Sequence, residues 1–235
     1  MTNIINYSDA YVDIVQALVV LILIIFFIIN AGTTISDEFS KGTVKQLLIT
    51  PNKRWKILLS KIFVLIVNLL FFTLVVSILT QIIAHFIFKM DISDYIYYSN
   101  NKLLLIDGDI FTIFRFLLSD IEVIIYILFA IMLSTITKNT AVSIGIPIFT
   151  YISSLGFMNI LNKIINSEFV KFIPFNNFNL LNKIFVNYKS IIPQLRSTEN
   201  IFVNNIQLSF SIKVVLICML LFLVTTFDSF NKNDI

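Results

Sequence analysis

The most restrictive feature of this chain is the length of its uncharged apolar stretches. The first of them contains the run ALVVLILIIFFII within residues 14–31. Hydrophobic residues make up 57% of the 235 residues and charged residues only 13%, whereas soluble domains carry about 25% charged residues. The mean hydropathy is +0.91. This much apolar surface does not fit inside one small aqueous core, so we expect the chain to lie in a lipid bilayer.

Five segments meet the requirement of about 20 mostly apolar residues for a membrane-spanning helix. They lie at about 14–31, 62–88, 116–136, 141–158 and 214–227. The first is unlike a signal peptide, because Asp9 and Asp13 stand where basic residues are expected and no small-residue cleavage site follows. The sequence therefore predicts an all-α membrane protein, a polytopic helical bundle that forms a single transmembrane domain over residues 1–235.

The rarest residue types exclude several kinds of chemistry. The chain has five glycines, and no two are closer than ten residues, so neither a phosphate-binding P-loop nor a dinucleotide-binding fingerprint is present. Cys218 and His85 are the single cysteine and histidine, which excludes an intramolecular disulfide and any cluster of these ligands around a metal. The net charge of +3 is too small to indicate a nucleic-acid partner. We expect no metal, no bound cofactor and no catalytic residue.

The positive-inside rule predicts the direction of the chain. The segment between the first two spans is the densest in basic residues: Lys41, Lys45, Lys53, Arg54 and Lys56. Over the whole chain, Lys and Arg divide almost evenly between the two sides, so the prediction depends on this first loop. It places the loop and the carboxyl terminus in the cytoplasm, and the amino terminus outside the plasma membrane.

The first loop, residues 32–61, has the signals of a short helix between two spans. Thr43 lies three residues before Gln46, the spacing of a capping box. Gly42, directly before Thr43, interrupts the helix that precedes it. Pro51 ends this short helix and fits the first turn of the next one, which runs through Arg54 into the second span. Two interpretations remain open: a helix that only anchors the loop to anionic lipid, and a lever that receives force from a soluble partner.

The residues of this loop resemble a signature of the type-2 ABC transporter permease family. The pattern E…GT…LL…P…R…K of that family matches Glu38, Gly42, Thr43, Leu47, Leu48, Pro51, Arg54 and Lys61. The short turn between spans three and four, and the long loop before the last span, also match the layout of the family. The resemblance covers most of the chain from residue 10 onward.

The resemblance implies a function that composition alone does not. Members of that family are transmembrane subunits of bacterial exporters that dimerise and draw energy from a separate ABC-type ATPase subunit, which binds the ATP. It implies coupling to that ATPase through Glu38, Gly42, Thr43, Leu47, Pro51 and Arg54. The substrate would be hydrophobic or amphipathic, such as an antimicrobial peptide or a drug. The chain would not itself be an enzyme.

One departure from the family and one alternative function bear on this expectation. Family members have six spans, whereas this sequence begins just before the position of their second span, so either the sequence is truncated or the first span is absent. The alternative is a membrane anchor or assembly protein with no transport role, which would share the spans and the basic loop.

Two predicted spans carry stripes of small or polar residues at helical spacing. The stripe in span two consists of Thr73, Ser77, Gln81 and His85, and that in span four of Ser143, Pro147, Thr150 and Ser154. One interpretation is helix packing, since small residues let helices approach closely. The other is that a stripe lines a substrate path or the contact with a second permease chain. For His85, we favour a hydrogen-bonded packing role over proton transfer.

Two further features lie towards the outer side. Asp120 and Glu122 are two residues apart, so they point to different faces of a helix, and we expect them to lie in the wet interface or to pair with a base such as Arg115. The outer loop, residues 159–212, alternates apolar and polar residues. It predicts short amphipathic helices that lie on the outer leaflet or dip into it as re-entrant segments.

Overall fold

The computed structural model describes residues 7–40, 54–89, 92, 95–99, 102–164, 174–178, 180 and 208–232. Five α-helices account for most of them. Their bounds are Tyr7–Ser40 (α1), Arg54–Ile82 (α2), Gly108–Thr137 (α3), Thr140–Ile164 (α4) and Leu208–Lys232 (α5). Each predicted span falls on one of these helices or its direct continuation, and α1 extends well beyond the predicted bounds of its span at both ends.

Among the described residues, four helices are long and apolar enough to cross a membrane. They are α1, α3, α5 and α2 with its continuation to Ile87, while α4 contributes the shorter apolar stretch Thr140–Leu155. A bilayer core about 30 Å thick is crossed by roughly 20 helical residues. The prediction of a helical membrane bundle is therefore confirmed, and α4 has the shortest apolar stretch of the five described helices.

Helix α3 forms the centre of the bundle, because it packs against all four other helices. Its buried side chains occur along its whole length and include Phe116, Ile127 and Ile131. Helix α2, by contrast, exposes large apolar side chains along one face, such as Phe63 and Phe71. Apolar exposure of this kind on a membrane helix is the surface expected to contact lipid tails.

The two ends of the bundle differ in their connections. The junction end is where α1 ends and α2 begins, and α3 also ends there, at Thr137. The hairpin end is where α2 ends in one π-helical turn, Ile83–Ile87, and where α3 begins. Between them are two antiparallel strands, Tyr95–Ser99 (β1) and Lys102–Ile106 (β2), in which Tyr95 pairs with Ile106.

The hairpin is the part of the described chain that the sequence analysis did not predict. Its strands are rich in tyrosine, isoleucine and leucine, and aromatic and β-branched residues favour strands. The residues between them, 100 and 101, are both asparagine, a residue common in hairpin turns. These signals are local and weaker than the long apolar runs on either side, which predict the flanking spans but not a pairing of the segment between them.

Each end of α3 is capped by the chain itself. At the hairpin end, the Asp107 carboxylate accepts a hydrogen bond from the backbone N–H of Asp109 at 2.9 Å, which satisfies one of the free donors of the first turn. At the junction end, Lys138 adopts a left-handed conformation with φ of 54°, a common way to end a helix. Asn139 then accepts from the backbone of Ala141 at 2.9 Å. The two helices are thus joined by a two-residue turn.

A short segment of the predicted outer loop lies inside the bundle. Pro174–Asn177 form one 3-10 turn, and Asn177 and Phe178 are buried. The Ser211 hydroxyl of α5 donates to Asn177 Oδ1 at 2.9 Å. Non-helical backbone at membrane depth is tolerated where protein surrounds it, so this turn fits the re-entrant interpretation. The rest of the loop, 165–173 and most of 179–207, lies outside the described residues, as does the predicted short helix of the first loop.

Candidate functional site

The junction between α1 and α2 is held by a basic side chain. Lys61 of α2 forms an ion pair with Glu38 near the end of α1, and both side chains are roughly three-quarters buried. Lys61 Nζ also donates to the backbone oxygen of Thr34 at 3.0 Å. One ammonium group therefore fixes two turns of α1 against the first turns of α2. The pair fixes the geometry on both sides of residues 41–53.

The same end of α1 is also fastened to α3. The backbone N–H of Ser36 donates to Ser134 Oγ at 2.9 Å, and the Ser134 hydroxyl donates to the Gly32 oxygen at 2.8 Å. Lys138 lies over the ring of Phe39, 4.8 Å from its centroid, a cation–π contact. A displacement of the end of α1 would therefore reach α2 through Lys61 and α3 through Ser134.

The structure describes only part of the predicted coupling residues. Glu38 lies in α1 and pairs with Lys61. Arg54 is the first residue of α2. The others, Gly42, Thr43, Leu47 and Pro51, lie outside the described residues. Coupling to an ATPase through these positions stays a prediction.

The polar stripe of α2 faces α3 within the same chain. The Thr73 hydroxyl lies 2.9 Å from Asp120 Oδ2, and Gln81 Nε2 donates to the backbone oxygen of Asp109 at 2.6 Å. His85 Nε2 lies 3.1 Å from Asp109 Oδ1. Ser77 is buried, and its hydroxyl donates to the Leu74 oxygen at 2.9 Å. These contacts are the helix packing that the first interpretation described, and a role of the stripe in a path stays a prediction.

The stripe of α4 makes its closest contact with α1. Ser143 is fully buried, and its backbone lies 3.2 Å from the position that a Cβ atom on Gly32 would occupy. Pro147 is also buried, while Thr150 and Ser154 are partly buried. The hydroxyl of Thr150 donates to Pro147 O at 2.9 Å, and that of Ser154 to Tyr151 O at 2.6 Å. The absence of a side chain at Gly32 therefore allows the close approach of α1 and α4 beside Ser143.

Asp120 and Arg115 of α3 are placed differently from the expectation. Arg115 is buried and pairs with Asp13 of α1, not with Asp120 or Glu122. Asp120 lies deep in the bundle with 2% of its surface exposed, not in a wet interface. The reason is the register of the helices, which brings Asp13 beside Arg115 across 102 positions of sequence.

Gln16 of α1 is another buried polar residue that the sequence analysis did not single out. Its Nε2 donates to the backbone oxygen of Arg115 at 3.2 Å, and its Oε1 has no hydrogen-bond partner within the described ranges. Gln16 is the one polar residue in the apolar stretch 14–29. This is a usable signal, because polar side chains inside a membrane usually face other helices.

The long apolar helices and the buried polar contacts between them define a polytopic α-helical membrane protein. The chain belongs to the DUF2705 family (Protein of unknown function), whose model matches residues 3–235. It is 24% identical over 230 residues to the uncharacterized membrane protein YdbK of Bacillus subtilis (strain 168), covering 98% of this chain and 81% of that protein. No solved structure matches the chain.

Proposed function

We propose that this chain is the transmembrane permease subunit of a bacterial ABC exporter. The observation that supports this most is the ion pair between Glu38 and Lys61, since these are the first and last residues of the signature that resembles type-2 ABC permeases. Their contact brackets the segment that would receive the ATPase. The proposed substrate class is a hydrophobic or amphipathic molecule, and the partners are an ABC-type ATPase and a second permease chain.

The contacts at the junction suggest how force would enter the bundle. Closure of the ATPase dimer displaces residues 41–53, and the pair of Glu38 with Lys61 moves α1 and α2 together. Because Ser134 hydrogen-bonds both Gly32 and Ser36, α3 is drawn along with α1. The movement of α3, which contacts every other helix, then changes the packing of the whole bundle.

The proposal requires the junction end to face the cytoplasm, which labelling tests. Lys45 and Lys53 lie in the basic loop at that end. In intact cells, a membrane-impermeant reagent that reacts with amines should leave Lys45 and Lys53 unlabelled. The same reagent should label both lysines after the membrane is permeabilised. A protein with the two lysines changed to cysteine, treated with an impermeant maleimide, gives the same comparison. Labelling from outside in intact cells contradicts the orientation and, with it, the site for the ATPase.

Removing the charge of Glu38 should weaken the coupling between the permease and its ATPase. The chain is reconstituted in liposomes with a candidate ABC-type ATPase subunit that it stimulates. Glu38→Gln should lower this stimulation of ATP hydrolysis by about fivefold or more, the lower end of the range for coupling between distant sites. The reason is that Lys61 loses its ionised partner and the two flanks of the loop separate. The measurement is ATPase activity with and without the permease.

Two variants make this test specific. Asp37→Asn removes the neighbouring acid outside the resembled signature and should leave stimulation unchanged. The exchange Glu38→Lys with Lys61→Glu restores the pair in the opposite sense and should recover part of the stimulation lost in either single variant. Full stimulation by the correctly inserted Glu38→Gln protein contradicts the lever. Absence of any effect of the unaltered permease on the ATPase favours the alternative, a membrane anchor without transport.

A further inference from the structure

The most deeply buried carboxylic acid described in the bundle is Asp120. It lies near the middle of the 30-residue helix α3, where 2% of its surface is exposed. Its Oδ2 is 2.9 Å from the hydroxyl of Thr73, and its Oδ1 has no hydrogen-bond partner among the described residues. Ionisable side chains at this depth are costly in a membrane and usually have a function.

The hydrogen bonds of Thr73 identify the protonation state. Its Oγ1 is 3.1 Å from the oxygen of Leu69 and 3.0 Å from that of Leu70, in addition to its contact with Asp120. A threonine hydroxyl has one hydrogen to donate but accepts through two lone pairs. If the Asp120 carboxyl carries a proton on Oδ2, it donates to Thr73, and Thr73 donates to its own helix. Both hydrogens are then used.

An ionised Asp120 would be satisfied far less well. It would receive the single hydrogen of Thr73 on Oδ2, and Oδ1 would be a buried anionic oxygen with no donor in the described part of the chain. Burying an unpaired charge costs much more than burying one unpaired neutral acceptor. The neighbouring hydroxyls do not help, because Ser77 and Ser119 donate to the backbone oxygens of their own helices at 2.9 and 2.6 Å.

The helices packed against α3 supply no positive charge at this depth. Residues 14–36 of α1, 62–84 of α2 and 140–162 of α4 contain no charged side chain. Lys213 of α5 is exposed, and Arg115 of α3 itself pairs with Asp13. The other titratable or charged groups on these helices, on α3 and on the π-helical turn after α2 are Tyr7, Asp9, Tyr11, Asp37, Glu38, Arg54, Lys56, Lys61, His85, Asp109, Glu122, Tyr126, Tyr151, Lys163, Cys218, Asp228 and Lys232.

We propose that Asp120 is a proton-binding site inside the membrane, whose neutral carboxyl group donates a hydrogen bond to Thr73 across the contact of α2 and α3. The bound proton makes the carboxyl group compatible with this closely packed, uncharged surrounding. Loss of the proton would favour a state in which α2 and α3 separate and Oδ1 gains water or a cation. The inference is independent of the exporter proposal, because it concerns only the chemistry between two helices.

Infrared spectroscopy of the purified full-length chain in lipid nanodiscs at neutral pH tests the proposal. The unaltered protein should show the carbonyl stretch of a protonated carboxylic acid, which is separate from the bands of carboxylates. Asp120→Asn should remove this band. Asp13→Asn, which removes an acid paired with Arg115, should leave it in place. If Asp120→Asn loses only carboxylate absorption and keeps the band of the protonated acid, the proposal is wrong.

Two further measurements test the proposal even if Asp120→Asn does not fold. Thr73→Val removes the acceptor and should move the band to higher frequency without abolishing it, and an unmoved band overturns the pairing. In the unaltered protein, ¹³C labelling of the aspartate carboxyl carbons should move the band to lower frequency. If labelling moves no protonated band, or if only Glu122→Gln removes it, Asp120 is not the site.

Discussion

Replacing Gly32 with valine should destabilise the folded bundle by about 3 kcal/mol, the upper range for overpacking a close contact. A Cβ atom at this position would lie 2.8 Å from Ile144 Cγ1 and 3.2 Å from the backbone carbon and oxygen of Ser143. The backbone of α4 has no side-chain rotamer to change, so the two helices must move apart. The separation would also strain the hydrogen bond from Ser134 to Gly32 O.

Gly145 provides a matched control for this change. It is a helical glycine of α4, and a Cβ atom there meets nothing within 4 Å. Gly145→Ala should therefore be neutral or stabilise the protein by up to about 1 kcal/mol through helix propensity. The measurement is unfolding of the purified protein in mixed detergent micelles with increasing denaturing detergent. Equal stability of Gly32→Val and the unaltered protein would contradict the close approach of α1 and α4.

The membrane class and the number of apolar helices follow from the sequence because they depend on local composition. A run of uncharged residues long enough to cross the bilayer has few alternatives to a helix, since every backbone group must be satisfied internally. The ends of the helices were less predictable. Helix α1 continues from Ala31 to Ser40 because nothing in the polar residues there breaks a helix, and this extension carries Glu38.

The faces of the helices were predictable, but their partners were not. A spacing of four residues puts Thr73, Ser77 and Gln81 on one side of α2, yet it does not reveal that the facing helix is α3. Thr73 and Asp120 are 47 positions apart in sequence. Their contact depends on the register between two apolar helices, which is set by packing along the whole length of both. For the same reason, the sequence placed Asp120 at the interface and gave Arg115 the wrong partner.

The second large effect on stability is expected at Phe178, which directly follows the buried turn Pro174–Asn177. Phe178→Ala should destabilise the bundle by about 3 kcal/mol, the usual cost of truncating a buried phenylalanine. The ring of Phe178 is 2% exposed and meets that of Tyr126 edge to face, with centroids 5.9 Å apart. Tyr126 in turn packs against Tyr151 of α4 at 5.3 Å. Phe178 thus fixes the turn to α3 and, through Tyr126, to α4, so its loss leaves a cavity that rigid helices cannot close.

Phe149 of α4 is the control for this change, because the same truncation there removes a ring that is 71% exposed. In a bilayer this side chain contacts lipid tails, and lipid refills the space that alanine leaves. Phe149→Ala should therefore change the unfolding midpoint in detergent by little. Non-helical backbone is stable inside a membrane only where protein surrounds it, and Phe178 supplies part of that surrounding. Phe178→Ala should accordingly also expose Asn177 to a water-soluble probe, tested with Asn177→Cys and an impermeant maleimide. Equal effects of the two alanine variants on stability, with no change in labelling, would contradict the re-entrant placement.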